Sequence, residues 1–220
     1  MSLVRRLLAF ALLLALLPVG SAFANHFDPK RKIRQADQAR AKAMLLRTSD
    51  LGPGYTSGSS GGSAHLNCAP LDESDLTVTG EAESPTWIGG LTIIVSYANV
   101  YTSVSDANAS WRRSTSTAGR RCVATEFQRL AGPNGGRLVS LKELSFPQVA
   151  PRTVVYRLVF ELRAQGSGSR LTVDLVALSR TRAQAYFLVG SVVSAPAKAE
   201  ELRLARIVAG RMATAMRASS

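Results

Sequence analysis

Between residues 152 and 193, three apolar runs of strand length follow one another, separated by short polar connections. In the first run alternate positions from Val154 to Leu162 are apolar, and the intervening positions carry charges such as Arg157 and Glu161. Alternation with a period of two is typical of a strand with one buried face. The connections QGSGS and TRAQ suit tight turns, so this region predicts three antiparallel strands in a meander.

Other segments show the spacing of amphipathic helices. Helices are predicted for residues 30–47, 103–119, 120–131 and 195–217. We expect Ser105 to cap the second helix, Trp111 to face the core and Gly119 to interrupt the chain before the third helix. Early acids such as Glu201 suit the N-terminus of the last helix. Further strands are predicted at residues 76–79, 91–101 and 137–146.

These elements indicate one globular domain of the α+β class. The prediction is an antiparallel β-sheet meander with helices packed on one face and a single disulfide. By position, residues 25–51 carry the N-terminal helix, and residues 52–220 form the α+β domain onto which that helix packs. At 220 residues with 46% apolar composition, the chain is long enough to bury a sizeable core.

The N-terminal segment, from Met1 to Ala24, has the organisation of a secretory signal peptide. A basic start, MSLVRR, precedes the apolar run LLAFALLLALL, and Ala22, Phe23 and Ala24 form a small-x-small cleavage pattern. The alternative is an uncleaved membrane anchor, for which the apolar run is shorter than the ~20 residues of a spanning helix. We therefore expect cleavage after Ala24 and a secreted, extracytoplasmic protein of the cell envelope.

The sequence contains two cysteines, Cys68 and Cys122. Outside the cytoplasm such a pair is more often bridged than catalytic, so we predict that the two cysteines form a disulfide. The competing interpretation is a reactive thiol assisted by a histidine. It is the weaker one, since the two histidines, His26 and His65, lie near the predicted mature N-terminus and in a Gly/Ser-rich stretch.

The chain is strongly basic, with a formal net charge of +12 and many more arginines than lysines. High-GC coding also produces such a bias, but the charge favours anionic partners such as phospholipid headgroups or cell-wall polymers. The arginines are dispersed and no nucleic-acid motif is present, so nucleic acid is not expected as a partner. Peripheral association with the membrane or cell wall fits the charge better.

No motif of a known catalytic or cofactor site is present. GxSxG, HExxH and the P-loop are missing from the sequence, and we expect no enzyme activity, no cofactor and no metal site. A hidden carboxylate pair, Asp174 with Glu161, is the remaining catalytic alternative, although strand carboxylates usually pair with arginines such as Arg157 or Arg163. The acidic stretch at residues 72–83 lacks the calcium-loop pattern and is interpreted as a solvated loop.

Several local motifs resemble the actinobacterial extracellular sensor domain of PknH-like kinases. They are the opening LLRTSDLGPGY, Cys68 in the following loop, ANASW with Trp111, GRRCVA at Cys122 and the closing strand and helix. The likeness covers most of residues 38–217, and it implies a sheet with packed helices, disulfide stapling, a ligand cleft and no catalytic residue. This sequence departs from them in having one cysteine pair where such kinase domains carry two, and in lacking both the kinase and the membrane helix. The PsbP-like fold of small mycobacterial exported lipoproteins is a similar alternative.

Together these features predict an exported, non-enzymatic, sensor-like binding domain of the actinobacterial envelope. Its ligand would be a small apolar or anionic molecule held in a cleft between sheet and helix. The alternative is an envelope interaction protein that binds anionic lipid or cell-wall polymer through its basic surface. The sequence does not identify the ligand-binding residues, the ligand or the oligomeric state.

Overall fold

A computed structural model describes residues 27–58, 67–132, 136–164, 167–192 and 194–217. The predicted signal peptide and both histidines lie outside these ranges. The strands are β1 (Lys30–Arg31), β2 (Thr56–Ser57), β3 (Thr77–Glu83), β4 (Trp87–Gly89), β5 (Thr92–Tyr101), β6 (Gly136–Glu143), β7 (Arg152–Ala164), β8 (Ser167–Arg180) and β9 (Ala183–Ser191). The α-helices are α1 (Gln35–Met44), α2 (Val104–Thr115), α3 (Thr117–Ala131) and α4 (Lys198–Arg217).

The strands form one sheet in the order β1-β3-β5-β9-β8-β7-β6, and the short pair β2 and β4 joins it at β5. Every pairing is antiparallel except that of β1 with β3. The meander predicted for residues 152–193 is confirmed as β7, β8 and β9, in continuous register over most of their length. Because hairpins join these strands, each lies beside its neighbour in the chain.

The predicted α+β class, with its antiparallel sheet, packed helices and single disulfide, is confirmed. The helices, however, divide between the two faces of the sheet instead of sharing one. Helices α1 and α4 cover the face to which Val155, Val176 and Phe187 point, which we call the front face. Helices α2 and α3 cover the back face, where Phe127 of α3 packs on Phe160. Both faces of the sheet are therefore apolar where helices cover them.

Because helices cover both faces of the sheet, the prediction of a single buried face for residues 91–101 was incomplete. The alternation in residues 91–101 predicts a single buried face that includes Ile93 and Val95. In the structure Val95 is buried toward the back, while Ile94 and Ala98 are buried in the front core. A strand covered on both faces is apolar at consecutive positions, and this pattern hides which face is the principal one.

The N-terminal helix is shorter than predicted. Residues 30–31 pair with β3 as an edge strand, and α1 begins only at Gln35. The helix then packs so closely on β3 that a Cβ at Gly80 would lie 2.2 Å from the carbonyl oxygen of Asp37. Gly80 therefore permits the contact between α1 and the sheet.

The Cys68–Cys122 disulfide is present, with a Cα–Cα distance of 5.7 Å. As expected, it ties α3 to the loop that precedes β3. The predicted boundary between α2 and α3 was wrong: the chain breaks at Ser116, whose hydroxyl accepts a hydrogen bond from Gly119 N (2.9 Å), and Gly119 lies inside α3. Likewise Ser103, not Ser105, caps α2. Serine hydroxyls satisfy the free N–H groups of a first turn, so the caps decide these starts.

Candidate functional site: an arginine-lined groove

The C-terminal end of α1 is locked to α4 through the carboxylate of Asp50. Arg211 of α4 donates to both Asp50 oxygens, at 2.5 and 2.8 Å, and also to the carbonyl oxygen of Leu45 at 2.7 Å. The backbone N–H of Arg47 donates to the same carboxylate at 2.7 Å. Because Asp50 is buried, this bidentate pair fixes the position of α4 relative to the end of α1.

Beyond this lock the surface between the two helices forms a shallow groove of about 450 Å³ that is largely open to solvent. That volume lies within the range of roughly 300–1,000 Å³ found for small-molecule sites. The helix side chains that form the floor are small or aliphatic, and arginines stand at its rim. The lining residues are Ala43, Arg47, Arg206, Ile207, Gly210, Arg211, Thr214 and Ala215.

The three arginines of the groove are not equivalent. Arg211 is held by Asp50, and its charge is already compensated. Arg47 and Arg206 are exposed, and neither guanidinium donates a hydrogen bond or forms an ion pair within the described part of the chain. A guanidinium offers several N–H donors in a plane that matches carboxylate and phosphate oxygens. Two available guanidiniums above an apolar floor are suited to an anion that carries an apolar body.

Gly210 determines how much room the groove has. It lies in the middle of α4, where glycine is unfavourable to a helix, and a Cβ built on it would meet no atom within 4 Å. Any longer side chain at this position would project into the space that now forms the groove.

Sequence reasoning did not find this site, because its two walls come from opposite ends of the described chain. The expected cleft was between a helix and the sheet, whereas this groove lies between two helices. A signal was available in α4: exposed Arg206 and Gly210 stand four residues apart and share one side of the helix. Without knowledge that α1 packs beside α4, that pattern indicates only a solvated helix face.

A second polar cluster lies beneath the N-terminal turns of α4. Arg157 donates to both oxygens of Asp174, at 2.7 and 2.5 Å, so the expected strand pairing is confirmed. The second carboxyl group near Asp174 belongs to Glu201, not to Glu161, which pairs with Arg137. Burial, together with a hydrogen bond to Asp174 and the charge of that carboxylate, raises the pKa of Glu201 far above its usual range. Folding therefore favours the protonated form of Glu201.

This carboxyl pair is the strongest catalytic candidate by chemistry, but it is closed to substrates. Asp174 is 0% exposed and Glu201 is 1% exposed. One oxygen of Glu201 is buried without a hydrogen-bond partner in the structure. From the sequence, Glu201 is expected only to interact favourably with the dipole of α4. Its burial could not be predicted, because it depends on how α4 lies across the front face.

The acidic stretch at residues 72–83 is divided among separate contacts. Glu73 accepts a hydrogen bond from the hydroxyl of Tyr101 at 3.1 Å, and burial raises the pKa of Glu73. Asp75 pairs with Arg113 at 2.6 Å on the surface. Within the described ranges, no group of three or more His, Cys, Asp or Glu side chains is arranged to hold a metal ion.

Among solved structures, the chain is similar to the X-ray structure of an uncharacterised protein from Mycobacterium smegmatis, the Rv0999 ortholog. The two share 14% sequence identity with a TM-score of 0.44. The alignment covers 80% of this chain and 97% of that one. No family model matches the sequence, and no curated protein matches it. Among the described residues, no helix is both long enough and apolar enough to cross a membrane.

Proposed function

We propose that this protein is an exported binding protein that holds an anionic amphiphile in the groove between α1 and α4. The observation that carries the proposal is the pair of unneutralised guanidiniums, Arg47 and Arg206, at the rim of an apolar groove of about 450 Å³. The ligand's acidic head, a carboxylate or phosphate, pairs with the arginines, and its hydrocarbon body lies along the floor.

The proposal is for binding rather than catalysis. The carboxyl pair of Asp174 and Glu201 is enclosed by α4 and the sheet, so a substrate has no contact with it. The groove itself is lined by arginines, aliphatic residues and one threonine, which position an anion but offer no ordinary general base or nucleophile pair.

Export is part of the proposal. A disulfide and the signal-like N-terminal sequence both suit an oxidising, extracytoplasmic compartment. The resemblance to PknH-like sensor domains suggests that ligand binding serves sensing, with the signal passed to a separate envelope partner. This finer assignment depends on finding that partner.

The test measures binding of dodecyl phosphate by titration calorimetry below its micelle concentration, with dodecanol as the uncharged comparison. The protein is used from Asn25 onward, since every described element follows that residue. We expect dodecyl phosphate to bind at least tenfold more tightly than dodecanol, because the arginines contribute charge-assisted hydrogen bonds.

Gly210→Leu is the decisive variant, because its side chain fills the groove at a position where no atom is displaced. It should abolish binding while the fold is retained. Gly210→Ala, which adds one methyl group, is the size control and should weaken binding only slightly. Arg206→Gln should reduce affinity about tenfold, and the matched exposed cation on the opposite side, Arg121→Gln, should leave it unchanged. Unaltered affinity in Gly210→Leu would refute the site.

A further inference from the structure

The segment that leads into α1 concentrates positive charge at one edge of the sheet. Residues 30–34 contain four Lys and Arg residues and no acid. Lys30, Lys32 and Arg34 are exposed and their side chains make no hydrogen bond or ion pair within the described ranges, although the carboxylate of Asp75 interacts with the charge of Lys30. The fourth cation of this segment, Arg31, is neutralised by an ion pair with Glu81 of the neighbouring strand.

The backbone of this segment is held firmly, so the cations are presented from a fixed surface. The N–H groups of Lys30 and Lys32 donate to carbonyl oxygens of the sheet at 2.9 Å, and that of Arg34 donates to Thr79 at 2.7 Å. Helix α1 then starts immediately and is anchored by buried Asp37, to which Arg182 donates at 2.6 Å. The surface therefore needs little ordering when a partner binds.

An exposed isoleucine, Ile33, lies between Lys32 and Arg34 in the sequence, and the alternation of an extended segment points its side chain to the other side of the sheet edge from Lys32. Ile33 is 47% exposed, although the backbone on both sides of it is bonded to the sheet. The other large hydrophobic side chains exposed to this degree in the described ranges are Val104 and Val139. Val104 is followed by Asp106 at the start of α2, and neither valine has a cation as its immediate neighbour on both sides, as Ile33 does.

We propose that residues 30–34 form a surface that docks on an anionic phospholipid bilayer, with Ile33 entering the headgroup boundary. These side chains flank the same edge of the sheet, so a membrane that meets this edge reaches both sides of it. Cations near an anionic membrane each add to affinity, and an apolar side chain at that edge gains by leaving water at the interface. A cell-wall polyanion would satisfy the cations equally but would leave Ile33 without a role. The charge and the apolar residue together therefore favour lipid.

This surface is a separate inference from the groove, since none of residues 30–34 lines the groove. A protein with a blocked groove, Gly210→Leu, retains all of the docking residues. Conversely, a change at Ile33 leaves every groove residue in place. The two proposals can therefore fail independently.

The experiment is vesicle co-sedimentation with the protein from Asn25 onward, so that the apolar N-terminal run cannot insert. Vesicles of phosphatidylglycerol and phosphatidylcholine at 30:70 are compared with pure phosphatidylcholine. Binding should require phosphatidylglycerol and should weaken as NaCl is raised, because exposed charges are screened. Lys30→Gln with Lys32→Gln and Arg34→Gln should lower affinity about 100-fold, at roughly fivefold for each lost charge.

Ile33→Ser tests the lipid assignment and should lower affinity for the vesicles about fivefold, whereas the matched control Val104→Ser should not change it. Ile33→Trp should bind more tightly, with a blue-shifted emission from the added tryptophan on vesicles only. Both positions are exposed, so these variants should fold normally. Equal binding of wild type and Ile33→Ser overturns the proposal, and so does tighter binding to soluble polyphosphate than to vesicles.

Discussion

The two helical layers are fixed to the same sheet by different means. On the back face, the Cys68–Cys122 disulfide ties α3 to the chain before β3, and the nearby ion pair of Asp75 and Arg113 lies on the surface. On the front face no disulfide is involved in the described contacts. There α1 and α4 are held by buried carboxylates, and Asp37 with Arg182 is the most enclosed of these pairs.

The difference teaches where the molecule has room for a ligand. On the back face Phe127 of α3 packs on Phe160, but only Gly119 and Glu126 of that helix are buried. On the front face buried carboxylates fix α1 and α4, and α4 is deeply buried, with Leu204, Val208 and Met212 in the core. The groove with Arg206 and Gly210 lies on the solvent side of these two helices. Substitutions on either face test this contrast, and the largest effect is expected at the buried carboxylate of α1.

Asp37→Ala should be the most destabilising of these changes, lowering the free energy of unfolding by about 3–5 kcal/mol. Asp37 is 1% exposed and accepts hydrogen bonds from Arg182, Arg40 and Thr79, so its removal leaves Arg182 with an unpaired, partly buried charge. Urea unfolding at pH 7 provides the measurement. The surface control Asp75→Ala should cost far less, because Asp75 is exposed to solvent, and similar losses for both would contradict the contrast.

The same aspartate predicts a loss of stability in acid. The guanidinium of Arg182 holds the pKa of Asp37 well below its usual value of 3.8. A carboxyl group whose pKa is lowered by folding contributes stability that is present above the unfolded value and is lost as pH falls through the folded value. Wild type should therefore lose stability below about pH 4 more steeply than Asp37→Ala, as measured by thermal unfolding across pH.

Replacing both cysteines, Cys68→Ser with Cys122→Ser, should destabilise the protein by about 2–4 kcal/mol. The bridge closes a loop with a sequence separation of 54, and its loss enlarges the unfolded ensemble. Unfolding in urea with and without reductant measures the effect. Because α1 and α4 do not depend on the bridge, dodecyl phosphate binding measured well below the melting temperature should persist. Loss of binding in a folded double variant would show that the layers are not independent.

Glu201→Gln should reduce the loss of stability that wild type shows as the pH rises. The free energy of unfolding should fall by about 1–2 kcal/mol less in the variant than in wild type over this pH range. Folding raises the pKa of Glu201 above its ordinary value of 4.5, through burial and then through Asp174, so the folded state holds a proton that the unfolded state releases. The stability of wild type should therefore decline as pH rises above about 5, and continue to decline until the folded pKa is passed. Glutamine keeps a donor toward Asp174 without titrating, and the variant should be flatter between pH 6 and 9. Parallel profiles would contradict a protonated Glu201.

The smallest expected effect is a gain. Gly210→Ala should stabilise the protein by roughly 0.5–1 kcal/mol, because alanine is the better helix former and its methyl group meets no atom. Differential scanning calorimetry should show a higher melting temperature. An unchanged or lower value would mean that the space beside Gly210 is filled in solution.

Local patterns in the sequence were sufficient for much of the fold. The alternation from Val154 to Leu162 and the turn residues after it predicted the meander, since strand periodicity and turn chemistry are properties of neighbouring residues. The pairing of Cys68 with Cys122 followed from there being only two cysteines. The predicted helix N-caps were less accurate. Ser103, Ser105 and Ser116 carry the same side chain, and only the packing of the helices decides which of them serves as a cap.

The sequence by itself determined the α+β class, the central strands, the disulfide and the strongly basic charge. Tertiary structure alone decided that helices cover both faces, that Glu201 is buried against Asp174, and that Arg47 and Arg206 line the same groove. The physical reason is the sequence separation over which each kind of interaction acts. Periodicity and turn preference act between near neighbours in the chain, whereas the groove between α1 and α4 depends on contacts between segments that are remote in sequence and are brought together by the sheet.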